Sequence, residues 1–270
     1  MTLDIFRSVR FAHSHVISRL SDTSLDAFYY TLKTDAYDHS VWNDVTVSKA
    51  VQAVPSHLER QPLFLSIDDT MVEKSGKHFE LCSKLYDHAA HNGSNYLNGH
   101  CMVSLLLSFP VYQDGKILYL SVPVGYRLWD KEKSKLALAA ELVTQAMKVI
   151  GPERQVILLC DSWYPKDYEG KTFWSLEEYR IRSKEGIERL VNLISLSYSA
   201  MTLLLYSDET FSGFQSASAQ ETRYEIGQQI QSNIILCSFG RVLETIKNCS
   251  ALIKVVEDYI LSGFRKFQKL

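Results

Sequence analysis

PLFLSIDDT, residues 62–70, decides how the rest of the chain is read. A short apolar run halts on paired aspartates, the mark of a buried strand that delivers carboxylates to its tip. Upstream, the apolar residues fall three and four apart. FRSVRFAHSHVISRLSD (6–22) and SLDAFYYTLKTDAY (24–37) therefore predict helices with Asp22 and Ser24 as caps, and VTVSKAVQAV (45–54) predicts a third. Val54-Pro55 closes this region, because the residue before proline disfavours the helical conformation.

Downstream, the polar stretch 71–98 reads as a long loop. HCMVSLLLSFPVY (100–112) reads as a second strand, and Asp114-Gly115 supplies a hairpin signal. ILYLSVPVGYRL (117–128) is a third strand. DKEKSKLALAAELVTQAMKVI (130–150) is an amphipathic helix, with acids expected in its first turn and Gly151-Pro152 after it. RQVILLCD (154–161) is a fourth strand that again ends in aspartate. After Gly170 the pattern is helical to the end, interrupted by the polar segment 207–220. The expectation is an α/β fold with a mixed sheet flanked by helices. It divides into a helical N-terminal region (1–58), a core (59–210) and a helical C-terminal region (211–270).

The chain has 270 residues, 46% hydrophobic and 22% charged, which suits a soluble globular protein with a sizeable core. The net charge of −2 shows no global basic field. Its 5 cysteines form no CxxC pair, so free thiols in a reducing compartment are expected. No stretch reads as a membrane span or a signal peptide, which points to a cytoplasmic protein.

Asp68 and Asp161 carry the chemistry of interest. Each closes a core strand, and in α/β sheets ligands gather at the carboxyl ends of strands. If those strands are parallel neighbours, two hard oxygen donors come within reach of Mg²⁺ or Mn²⁺. A pair of such ions can clamp an in-line displacement at phosphorus. The plainer alternative is that aspartate often stabilises a turn after a strand. Asp69 alternates to the opposite face, so Asp68 is the preferred ligand. His78, Cys82, His88, His91, His100 and Cys101 cluster in sequence, but their spacing matches no zinc pattern. Arg180, Arg182, Lys184 and Arg189 could meet a phosphate backbone. Interleaved glutamates make a solvated, ion-paired helix face an equal reading. Trp129, Trp163 and Trp174 could stack on bases, although buried aromatics are the default.

Three blocks carry a resemblance: SIDDTMVEKSGKHFELCSKLYDHAAHNGSNYLNGH (66–100), LLCDSWYPK (158–166) and YEGKTFWSLEEYRIRSKEGIERLVNLISLSYSAM (168–201). Together they resemble bacterial insertion-sequence transposases of the DDE type, which have a ribonuclease-H-like core. The resemblance implies two divalent ions, Mg²⁺ or Mn²⁺, held by two aspartates and a glutamate. It implies cleavage and joining of DNA at element ends, with the N-terminal region contacting those ends and copies assembling on DNA. Asp68 matches the first acid and Asp161 the second. The family's third signature is Tyr, two residues, Arg, three residues, Glu, six residues, Lys. Lys171 matches the lysine, but counting back seven positions reaches Tyr164, and neither the glutamate nor its Tyr and Arg is present. The chain therefore resembles an internally deleted copy, with the join near Lys166–Asp167 and the next core strand lost. Glu169 is the substitute acid nearest in sequence. This implies a copy impaired in catalysis. The alternatives are a DNA-binding remnant acting at element ends or with intact transposase, using Lys171, Arg180, Arg182 and Lys184, and a metal-dependent nuclease using Glu169. Loss of the strand would also leave QVILLC (155–160) as an exposed apolar edge.

Overall fold

The computed structural model describes residues 9–14, 18, 22–34, 38–75, 78–86, 95–160, 181–207, 209–215, 221–222 and 224–228. In chain order the elements are α1 (Val9–Ala12), α2 (Leu25–Lys33), α3 (His39–Gln52), β1 (Leu63–Glu73), β2 (Ser83–Tyr86), β3 (Tyr96–Gln113), β4 (Lys116–Leu128), α4 (Lys135–Ile150), β5 (Val156–Cys160) and α5 (Lys184–Ser207). This is an α/β fold with a mixed, five-stranded sheet flanked by helices.

The sheet is organised around β3. One side of β3 pairs antiparallel with β1, from Phe64–Ser108 to Glu73–Gly99. Its other side carries β4 and, towards its start, the short β2. β5 joins the far side of β1 in parallel, from Leu63–Val156 to Ile67–Cys160. Two expectations change here. β1 does not stop at the aspartates but runs on to Glu73, because Thr70, Met71 and Val72 continue the ladder with β3. The stretch read as one loop, 71–98, contains the end of β1, all of β2 and the start of β3; its polarity hid them.

Alternation along the strands builds two cores. Leu63 and Leu65 of β1 and Val103, Leu105, Leu107 and Phe109 of β3 point to the first face. There they meet Val47 and Ala50 of α3 and Leu138, Ala139, Leu142 and Ala146 of α4, positions spaced for one helix face. The helix at 45–54 thus begins earlier than its apolar pattern suggested, at His39, where Asp38 caps the Ser40 N–H at 2.8 Å. Ser24 caps α2 as expected through the Ala27 N–H. α4 begins at Lys135 behind a Ser134 cap, and its first turn holds no acid; the acids of 130–132 precede it. Gly151 ends it at φ +82°, a conformation that suits a residue without a side chain.

The register of β3 and β4 slips between Leu105 and Leu106. One extra residue reverses which side chains face which way. Val122 and Val124 therefore sit in the first core, whereas Tyr126 and Leu128 join Val72 and Met102 on the second face against Ile187, Val191 and Ile194 of α5.

α5 bonds with its side chains to the second half of β4, Pro123–Leu128. The Tyr126 N–H donates to Asn192 Oδ1 at 3.1 Å, and Asn192 Nδ2 donates to the Tyr126 carbonyl at 3.2 Å. The Ser195 and Ser199 hydroxyls both donate to the Pro123 carbonyl, and the Leu128 N–H donates to Glu188 Oε1 at 2.8 Å. Backbone groups that another strand would bond are satisfied by a helix instead. By length and composition α5 would pass for a membrane span, contrary to the expectation that no stretch does. Its buried Asn192, Ser195 and Ser199, bonded to β4, make it a core helix here.

Candidate metal centre

Asp68 sits inside β1, paired with Ser104 of β3, whose hydroxyl donates to the Asp68 carbonyl at 3.3 Å. It is not at the end of the strand, as the sequence suggested. The last parallel pair of β1 and β5 among the described residues is Ile67–Cys160, and the next residue of β1 is Asp68. The residue is half-buried, and its Oδ1 is shielded from solvent.

Asp69 has a different task. Its carboxylate receives Lys135 Nζ in an ion pair and lies 3.5 Å from the Cys101 thiol, on the α4 side of the sheet. The Lys135 ammonium also stands 5.1 Å from the centre of the Trp129 ring, whose Nε1 donates to the Lys133 carbonyl. Burial opposes the charge on Lys135, but the hydrogen bonds and charges of Asp69 and Cys101 together outweigh it and raise the amine above its usual range. Burial pushes the Cys101 thiol up to about 12. Asp69 is thus committed to a lysine, and Asp68 lies on the other face of the sheet.

Asp161, Glu169, Lys171 and Arg180 lie outside the described residues, as do Tyr164, Trp163, Trp174, His88 and His91. Arg182 and Lys184 are described and stand at the start of α5. The Arg182 carbonyl accepts the Glu80 N–H, and the Lys184 N–H donates to Glu80 Oε2 at 2.7 Å, so the segment before β2 caps α5 from a distance. Lys184 Nζ bonds Asp130 Oδ2 at 2.7 Å, and this hydrogen bond holds the Asp130 carboxyl below its usual range. Arg189 is buried and donates to the Leu32 carbonyl. The basic run is therefore dispersed: Lys184 holds the loop after β4, and Arg189 ties α2 to α5.

Glu188 departs from the solvated face its neighbours suggested. It is half-buried against β4, and burial raises its carboxyl above the usual range. The signal was present: Glu188 adjoins Ile187 and falls three and four residues before Val191 and Asn192, on the stripe that packs inward.

Among the described residues, the histidines and cysteines of residues 78–101 form no group of three. His100 is buried in β3, with Nε2 2.7 Å from the Glu80 carbonyl, and burial lowers its pKa. Cys101 turns to the opposite face, and the Cys82 thiol accepts from Asn98 Nδ2. Among the described residues no group of three or more His, Cys, Asp or Glu is placed to hold a metal. Cys82, Cys101 and Cys160 are free thiols. No protein-family model, curated protein or solved structure matches the chain.

Proposed function

We propose that the chain is a DNA transposase-family protein on a ribonuclease-H-like core, with a partial metal site at Asp68 and Asp161 and no third acid to complete it. What supports the reading is the parallel β1–β5 pair, in which Ile67 lies opposite Cys160 and the following residue in each segment is an aspartate. One further step of that register would bring the two carboxylates to neighbouring strands about 4.8 Å apart. At that spacing they can share a hard divalent cation completed by water. The described half of the site fits such a cation: Asp68 offers hard oxygens, and Asp69, tied to Lys135, does not compete.

When bound, Mg²⁺ or Mn²⁺ would supply charge neutralisation at a DNA phosphate and an activated oxygen nucleophile. Asp68 and Asp161 would hold and orient the ion. Lys171 matches the lysine of the signature whose glutamate is absent, and the sequence about Glu169, four residues after Pro165, predicts no helix to place a carboxylate as metal geometry demands. The chain therefore binds the cation weakly and does not join DNA strands.

Binding of Mn²⁺, followed by paramagnetic resonance, tests the site. Binding by the intact chain should be lost in both Asp68→Ala and Asp161→Ala. Equal binding in all three proteins would overturn the reading. Efficient strand transfer with element-end DNA and Mn²⁺ would show that the third acid is not missing in effect. Plasmid nicking that disappears in Glu169→Gln would favour the nuclease alternative.

A further inference from the structure

The connection between β1 and β2 ends in a turn, residues 79–82, that grips the start of α5. The Glu80 N–H donates to the Arg182 carbonyl at 2.9 Å, and Glu80 Oε2 accepts the Lys184 N–H at 2.7 Å. One residue thus satisfies a carbonyl just ahead of the helix and one of the N–H groups that its first turn leaves open. Leu81 follows at φ +60°, a left-handed conformation that is costly for a bulky side chain. Its side chain packs against the second core, the cluster that holds Ile187 and Val191 of α5. The turn is a strained piece of chain held shut by a small set of contacts.

His100 pins this turn to the sheet. It is 1% exposed in β3, with its Nε2 2.7 Å from the Glu80 carbonyl. Because a carbonyl only accepts, Nε2 carries the proton of the neutral ring. The Phe79 ring meets the imidazole edge-on, with centres 6.1 Å apart. The charged and titratable groups on the segments that meet here are Lys74, His78, Glu80, Cys82, Lys84, Arg182 and Lys184. The Glu80 carboxylate is turned to the Lys184 N–H, the Lys84 ammonium to the Tyr96 ring, and burial raises the Cys82 thiol so that it stays protonated. Glu73 alternates to the other face of β1 from Val72, the cross-strand partner of His100. A proton added to His100 would put a second cation beside Lys74, at a place almost shut off from water. Burial first, and then the Lys74 charge, hold the imidazole below its ordinary 6.5, against the Glu80 hydrogen bond, which raises it.

We propose that the 79–82 turn is an acid-released latch, which neutral His100 keeps closed on the start of α5 and protonated His100 opens. The closed turn fixes the point at which α5 begins, shortly after residues 161–180. Opening frees the Arg182 carbonyl and the first turn of α5 and relaxes Leu81. Asn192, Ser195 and Ser199 meanwhile keep the rest of the helix on β4. The sign follows from proton linkage, because the imidazole takes its proton more readily in the open form. The latch is therefore fully stable above the ordinary 6.5 and loses stability as pH falls below it, towards the lowered value of the closed form. This inference stands whether or not the chain binds metal or DNA.

Hydrogen–deuterium exchange of the full chain at pH 7.5 and pH 5.5, corrected for the intrinsic rate at each pH, tests the latch. Both conditions lie above the ordinary carboxylate range, so imidazoles are the main groups that change. Protection of the Glu80 and Lys184 amides should drop about threefold or more at the lower pH, with the Leu105 and Leu107 amides of β3 unchanged. His100→Gln, whose amide still donates to the Glu80 carbonyl but does not ionise, should keep the same protection at both. His39, lowered by burial, and Glu188, raised by it, are common to both proteins and cancel in the comparison. Should the variant fail to fold, NMR titration of the His100 ring in the unaltered protein is the second measurement. Its midpoint should lie below the ordinary 6.5 and coincide with the loss of protection at the Glu80 amide. Protection that does not change with pH would overturn the proposal. So would an equal drop in His100→Gln, which would place the titrating group elsewhere, at His78 for one. A drop shared by Leu105 and Leu107, which would mean that the whole fold opens, or a His100 midpoint at or above 6.5, would overturn it as well.

Discussion

Cys101, Asp69 and Lys135 show how much a single buried contact can set. The Cys101 thiol is 2% exposed and holds its proton up to about 12, against 9.0 for an ordinary thiol. Between those values the native state keeps a proton that the unfolded chain has lost, so stability must fall as pH rises through that window. The urea midpoint should decline steeply from pH 9 upward, and Cys101→Ser should flatten the decline. Lys135 and Lys184, whose raised amines also stabilise the fold only while protonated, contribute to the slope that remains, as do the raised Cys82 thiol and Tyr206 phenol. A maleimide at pH 7.5 should label the exposed Cys160 and leave Cys101 unmodified until the protein unfolds, as read by peptide mass. Asp69 was legible as the aspartate facing away from Asp68, because strand alternation is strict. Its tie to Lys135 was not legible, since the two are 66 positions apart in sequence.

Among the elements, α5 is the one whose role sequence spacing understated. Its apolar stripe announced a core helix, but the residues that place it are polar. Asn192→Ala would remove the bonds Asn192 makes to the Tyr126 N–H and to its carbonyl, the latter still held by Arg127 Nη1, at a cost of about 1–3 kcal/mol, measurable by chemical denaturation. Glu188→Gln should leave the midpoint unchanged or higher, because a neutral amide oxygen can still accept the Leu128 N–H without burying a charge. Glu188→Ala should lower stability by about 1–3 kcal/mol. The irregular pairing of β4 has its own requirement. A methyl group at Gly125 would come within 2.7 Å of Leu142 Cδ2 and 2.9 Å of Asn43 Nδ2, so Gly125→Ala should cost about 1–3 kcal/mol through overpacking.

At the scale of the molecule, the first core joins α3, α4, β1, β3, β4 and the end of α5 in one cluster. α3 is therefore part of the structure that carries Asp68, not an appendage to it. Leu107, fully buried at its centre, should cost about 2–5 kcal/mol on truncation to alanine. The loss should appear as one cooperative transition, with far-ultraviolet circular dichroism and tryptophan fluorescence coinciding. A separate early transition of the helical signal would show that α3 folds independently of the sheet.

The sequence by itself determined the α/β class, the four long strands, the helix between the last two of them and the caps at Ser24 and Gly151, because each rests on contacts between residues near in the chain. It also placed Asp68 and Asp69 on opposite faces, from the two-residue period of a strand. Only the tertiary structure decided that β1 outlasts its aspartates, that β2 exists, and that a slip in β4 sends Tyr126 to the second face. It alone joined Glu188, Asn192 and two serines to the second half of β4. These features depend on ladders and packing between distant segments, whose cost or gain appears only once the chain has brought them together.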